Sequence, residues 1–196
     1  RQQRVLMEGA FPHELKPVFE AYEAQSNPWG FPADTRGDWA RELGVKRVET
    51  AEDVGNLDYL FYVGSAASFD PRGQRIARAF AAILQQAGVR FGILGRSETS
   101  TGECVRRAGN EMLFQQLANE LVAKLNGLGV IRIVTCDPHA FNTLRNEYPE
   151  FGGRWEVIHH TQLIAQLIAD GRLGIEPKFE RVIYHEPCYL GRHNGE

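Results

Sequence analysis

The sequence predicts an α/β domain: a Rossmann-like, three-layer arrangement with a mainly parallel sheet of about five strands and an irregular N-terminal arm. Two observations carry this reading. Five short apolar runs, at 59–63, 89–94, 131–135, 155–158 and 182–184, alternate with segments of helical periodicity, and the connections between them are short. Units alternating in this way form a parallel sheet covered by helices on both faces. The residues that follow each run also differ in kind from those that precede it. GSAASFDPRG, GRSETSTGEC, CDPHAFN, HHTQ and HEPCYLGRHNG follow in turn, while the segments returning from helix to strand are plain. Reactive side chains therefore gather at the carboxyl ends of the strands, where open α/β sheets bind ligands.

Taken in order, residues 1–55 form an arm. They hold Pro12, Pro17, Pro28 and Pro32 together with Trp29 and Trp39, and leave room only for short helices over 12–22 and 38–43. Proline removes a backbone donor and disfavours helix before it, so NPWGFPAD at 27–34 reads as loop, and the aromatics pack the arm on the domain. The first repeat unit spans 56–180. After its first strand comes a helix over 72–87, with Ile76, Ala79, Phe80, Ile83 and Leu84 on one face and Gly88 as its stop. A helix over 105–125 follows the second strand, with Leu113, Phe114, Leu117, Leu121 and Leu125 at three-four spacing. Pro149 closes a third helix over 141–148, and Gly171 closes a fourth over 161–169.

Composition excludes several classes. The 196 residues are 43% hydrophobic and 24% charged, ordinary for one soluble globular core, and a net charge of −3 with acids and bases interspersed offers no basic stripe for nucleic acid. No apolar run is long enough to span a bilayer, and RQQRVLMEGAF lacks a signal-peptide core. Three scattered cysteines, Cys104, Cys136 and Cys188, suit a reducing, cytoplasmic compartment. The chain begins without Met and ends inside a motif, so a longer parent protein is expected. The segment DYLFYVGSAASFDPRG matches FERVIYHEPCYLGRHNG in apolar pattern and loop onset, which sets Ser65 opposite Cys188. On that reading, residues 181–196 open a second repeat, with a site between the two units.

Several side chains could carry chemistry. Cys188 has His185 before it and Arg192 and His193 after it; a thiolate near such groups is a better ligand and nucleophile, and the bland alternative is a structural thiol. Cys136 ends a strand beside Asp137 and His139, and divides evenly between packing and site. Cys104, behind Glu103, reads as structural. His139 and Asn142 stand where a helix begins at the reactive edge. His159 and His160, adjacent on an extended segment, point to opposite sides, so at most one faces a cleft. His160, His185, Cys136 and Cys188 could gather as a zinc site. Ser65, Ser68 and Asp70 before the helix at Arg72 could instead cradle a small anion on free N–H groups, although no GxGxxG, GxxxxGK[ST] or GxSxG follows any strand.

The strings VGSAASFD at 63–70, STGECVRRAGNE at 100–111, DPHAFNTLRNEYPEFGG at 137–153, VIHHTQL at 157–163 and YHEPCYLGRHNGE at 184–196 resemble the cysteine-rich (CCG) domain family. That family includes the cysteine-rich subunit of heterodisulfide reductase, the glycolate oxidase iron-sulfur subunit and membrane-associated iron-sulfur reductases fed by electron-transferring flavoprotein. NPWG at 27–30 and the Asn-Glu-Tyr-Pro run are closest to the flavoprotein-linked and glycolate-oxidase-like branch. The resemblance implies a component of an oxidoreductase whose cysteines bind iron-sulfur clusters of the 4Fe-4S kind for electron transport. Its partners would be electron-transferring flavoprotein or a flavin subunit and a ferredoxin-type domain of the same chain, at the inner face of a membrane. Laid on this chain, the family's first-repeat cysteines fall at Ser65, at Thr99 and Ser100, and at Asp137 and Ala140, so every thiol is replaced. Oxygen donors hold such clusters poorly. The resemblance therefore makes this repeat a scaffold and pocket wall using Ser65, Ser100, His139, Asn142 and His160. Cys188 alone matches a ligand in register, and the isolated chain is expected to be colourless and inactive.

Overall fold

In the computed structural model, which describes residues 7–9, 11–176, 178 and 180–196, the strands are short and mostly apolar. Five of them, β1 (Lys46–Arg47), β2 (Tyr59–Tyr62), β3 (Phe91–Ile93), β4 (Arg132–Thr135) and β5 (Glu156–His159), form one all-parallel sheet in the order β1-β3-β2-β4-β5. Successive side chains of a strand point to opposite faces. Phe61, Val134 and Ile158 thus enter one core with Phe80, Leu84, Leu163 and Leu167, while Leu60, Tyr62, Ile133 and Val157 enter the other with Phe114, Leu121, Leu125 and Phe141. Helices α4 (Pro71–Gln86) and α8 (His160–Ala169) cover the first face, and α6 (Glu111–Gly127) with α7 (Pro138–Asn142) covers the second. The expected three-layer α/β domain is what the structure shows.

The fifth strand is not the expected one. Residues 182–184 form no strand: Val182, Ile183 and Tyr184 are 81%, 100% and 75% exposed. Strand propensity needs a partner backbone, and among the described residues none lies beside them. The fifth strand is instead Lys46–Arg47, within the segment read as arm, and Gly92 makes room for it. A Cβ at Gly92 would lie 2.8 Å from Val48 Cγ2 and 3.1 Å from the Lys46 carbonyl.

The helix expected over 105–125 is two, α5 (Glu103–Arg107) and α6. Gly109, at φ +99°, turns the chain, and Asn110 Oδ1 accepts the Leu113 N–H to start the second helix. Beyond α7, the expected single helix becomes a π-helical turn (Thr143–Glu147) and a 3₁₀ turn (Tyr148–Phe151). Earlier in the chain come α1 (Leu15–Gln25), a 3₁₀ helix (Ala33–Leu43) and α2 (Ala51–Gly55), the last not anticipated. Phe19 and Tyr22 of α1 pack on Val105, Leu113 and Leu117, and Trp39 enters the first core edge-on to Phe61 at 6.1 Å. No helix among the described residues is long and apolar enough to cross a membrane.

Candidate functional site

The loops at the carboxyl ends of β2, β3 and β4 close around a pocket of about 390 Å3, roofed by Tyr22, Pro28 and Trp29. Ser65 opens the short helix α3 (Ser65–Phe69) directly after β2. Asp137, two residues beyond β4, caps α7, its Oδ1 accepting the His139 N–H at 2.9 Å. The loop after β3 is anchored from three directions. Tyr62 Oη donates to the Thr99 carbonyl at 2.7 Å, Tyr148 Oη donates to the Thr101 carbonyl at 3.0 Å, and the Ser100 N–H donates to Ser26 Oγ at 2.7 Å. Ser65, Ser100, Cys136 and His139 of the expected site residues line this pocket together, joined by Cys104, Glu103 and Asp137.

Two carboxylates that sequence reasoning gave no role organise the pocket. Glu98 is 2% exposed; its oxygens accept the N–H groups of Val63 and Gly64, each at 2.9 Å, and pair with Arg36 at 3.2 Å. Burial pushes its carboxyl up, while Arg36 and the two amides pull it back. Arg36, 1% exposed, also donates to the Ser26 carbonyl at 2.8 Å and to Ser65 Oγ at 3.2 Å. Glu103 accepts from His139 Nδ1 at 3.1 Å, Arg107 Nε at 3.0 Å and Tyr189 Oη at 2.9 Å. Burial opposes its ionisation, but these donors win and hold it down at about 2. His139 is raised in turn, first by its bond to Glu103. Nothing in the local pattern around Glu98 marks it, because its cation is 62 residues earlier in the chain.

The anion cradle expected from Ser65, Ser68 and Asp70 is occupied by the protein itself. Glu98 takes the Val63 and Gly64 amides, Ser68 Oγ donates to the Gly64 carbonyl at 2.7 Å, and Asp70 Oδ1 accepts the Arg72 and Gly73 amides at 2.9 Å each. Both thiols in the pocket are shifted above the ordinary thiol range. Burial and the neighbouring Glu103 push Cys104 up to about 11, against a bond from Tyr22, and burial with Asp137 pushes Cys136 up as well. Burial also raises Asp137.

The other expected residues lie elsewhere. Asn142 sits outside the pocket, where its Oδ1 accepts from Asn146 at 2.9 Å and Asn194 at 3.1 Å, and its amide donates to Glu147 at 3.1 Å. His160 packs edge-on to Phe80 at 5.5 Å and His159 to Phe141 at 6.0 Å, but the two rings do not point to opposite sides: His160 already belongs to α8, the imidazoles lie 4.3 Å apart with His160 Nδ1 3.2 Å from His159 Nε2, and neither lines the pocket. His185, Cys188, Arg192 and His193 lie on the C-terminal stretch, outside the pocket; His193 stacks on Tyr189 at 4.8 Å. The zinc quartet His160, His185, Cys136 and Cys188 does not assemble. Among the described residues, no three His, Cys, Asp or Glu side chains converge as metal ligands, because Cys136 and His160 stay with the sheet while His185 and Cys188 are exposed.

The C-terminal residues nonetheless return to the site. Tyr189 packs against the His139 ring at 4.4 Å, Leu190 is buried in the second core, and Glu196 pairs with Arg145 at 2.8 Å and accepts from Gln162.

A family model described as the CCG cysteine-rich domain matches residues 59–145. Over 199 residues, 99% of this chain, the sequence is 41% identical to a probable iron-sulfur-binding oxidoreductase, FadF, of Bacillus subtilis, covering 28% of that protein. It is 40% identical over its whole length to an EtfAB:quinone oxidoreductase of Syntrophomonas wolfei, again covering 28% of the relative. Over 70% of the chain it is 30% identical to a dihydromethanophenazine:CoB–CoM heterodisulfide reductase subunit of Methanosarcina barkeri, covering 35% of it. The chain thus spans less than a third of the first two relatives. No solved structure matches it.

Proposed function

The chain belongs to the CCG cysteine-rich domain family, and on that premise we propose that it is part of the electron-transfer subunit of an iron-sulfur oxidoreductase of the heterodisulfide reductase and glycolate oxidase type. In this reading residues 56–180 are a first CCG repeat that serves as scaffold and pocket wall, residues 1–55 are its arm, and residues 181–196 open a second repeat. One observation carries it. Ser65, Ser100 and Asp137, three of the five positions at which the resemblance puts the family's thiols, meet in a single pocket.

The donor set does not fit a cluster. Iron-sulfur clusters are held by thiolates; here the pocket positions that the resemblance assigns to ligands carry hydroxyls and a carboxyl, and the two thiols nearby, Cys104 and Cys136, do not stand at those positions. Cluster binding in the longer protein falls to Cys188 and the residues that would follow it. Electron-transferring flavoprotein, a ferredoxin-type domain of the same chain and attachment at the inner face of a membrane complete the proposal; support comes from the names of two relatives, one an EtfAB:quinone oxidoreductase and the other a probable membrane-anchored ferredoxin.

Anaerobic reconstitution with iron and sulfide tests the reading. This chain should retain neither in stoichiometric amount, and in the longer protein Cys188→Ala should lower bound iron while Ser65→Ala leaves it unchanged. Stoichiometric iron and sulfide on the chain itself, lost on Cys188→Ala, would sink the scaffold role.

A further inference from the structure

The pocket is shaped to hold a ligand of its own, whatever the parent protein does. Its volume falls in the range of small-molecule sites, and much of its wall is carbon, from Pro28, Trp29, Ala66, Ala67 and Ile76. What selects a ligand is the direction of the few hydrogen bonds around it. Ser65 Oγ accepts from Arg36 Nη2 at 3.2 Å. A hydroxyl whose oxygen is held by a guanidinium keeps its own proton to donate, and among the described residues no acceptor takes it.

Most of the other polar groups are already committed. Ser100 Oγ accepts the Gly102 N–H at 3.2 Å and bonds Tyr22, whose hydroxyl bonds Cys104. Glu103 is matched by His139 and Arg107, and Glu98 by Arg36. Asp137 accepts the backbone N–H groups of His139 and Ala140 and lies against Gly64, where a Cβ would stand 3.1 Å from its Oδ2. An anion entering this pocket would find no cation free of a partner among the described residues, and a cation would find without an ion-pair partner only Asp137, whose carboxyl is raised by burial and already held by backbone amides; either would lose its hydration.

We propose that the pocket binds a neutral, mostly apolar ring compound through a carbonyl oxygen that accepts the Ser65 hydroxyl. The inference is independent of the electron-transfer reading, because it rests on the walls and donors of this domain alone. Reconstitution can fail or succeed without bearing on it.

The probe is alpha-tetralone, compared with tetralin and with the ammonium and carboxylate derivatives of the same bicycle, by calorimetric titration and thermal shift. The ketone should bind saturably and tighter than the other three. Ser65→Ala should weaken the ketone by roughly three- to tenfold, the worth of one neutral hydrogen bond, and leave tetralin unchanged. Ile76→Trp, at a half-exposed position on the rim, should abolish binding of both while leaving the unliganded melting temperature in place. Absence of saturable ketone binding, tighter binding of the ammonium or carboxylate, or an unchanged ketone affinity in folded Ser65→Ala would each overturn the proposal.

Discussion

His139 and His159 stand at the exits of neighbouring strands yet titrate in opposite directions, which sets how stability depends on pH. His139 faces Glu103, with Arg107 and Asp137 nearby, and its value is raised above 6.5. Its contribution is complete below the unfolded value and is lost as pH rises through the folded one. His159 is lowered to about 4 by burial first and His160 second, and burial lowers His160 too. The unfolded chain then takes up those protons first, so stability falls as pH drops from 6.5 towards about 4. Urea midpoints measured across pH should therefore peak near neutrality. His139→Gln should flatten the alkaline limb and His159→Gln should shallow the acid limb; unchanged limbs in both variants would count against these assignments. For single residues the sequence was partly legible. Ser65, Ser100, Cys136 and His139 follow strands and do meet, because a parallel sheet brings all its carboxyl ends to one edge. Glu98 and Tyr189 escaped, since an acidic residue in a polar loop and a tyrosine beside a cysteine look alike whether buried or solvated.

Among the elements, periodic segments were read well and marginal ones were not. The helix at Pro71–Gln86 and the strands at Tyr59–Tyr62 and Arg132–Thr135 carry their apolar pattern over enough residues to declare themselves. Lys46–Arg47 is two charged residues long and exists because β3 lies beside it, whereas 182–184 has the better strand composition and no neighbour among the described residues. Pairing decides strands, and pairing is tertiary. Hydrogen exchange gives this a measurable form. Amides at 182–184 should exchange without protection, while those of Leu190, Arg192 and His193, which donate to the Pro187 and Cys188 carbonyls, should be slowed. Protection at 182–184 in this chain would mean that a partner strand exists. In the longer protein, protection there is the outcome expected if residues 181–196 open a second repeat.

Across the whole molecule, the N-terminal segment is fastened to the sheet by Arg36, which ties the Ser26 carbonyl, Ser65 and the Glu98 carboxylate around one buried guanidinium. Removing one partner of a buried pair leaves the other charge without compensation. Arg36→Met should cost about 3–5 kcal/mol in chemical denaturation; a loss below about 1 kcal/mol would show that water reaches Glu98. The same fastening places Tyr22, Pro28 and Trp29 as the roof of the pocket. The order of residues alone sets the α/β class and the edge at which reactive groups collect, because periodicity and strand-to-loop order are local. Long-range contacts settle the rest: Lys46–Arg47 rather than 182–184 completes the sheet, the chain's own carboxylates fill the expected anion cradle, and the C-terminal residues fold back onto His139. Each of those depends on what a distant segment offers as a partner, and burial without such a partner is too costly for backbone amides or charges to accept.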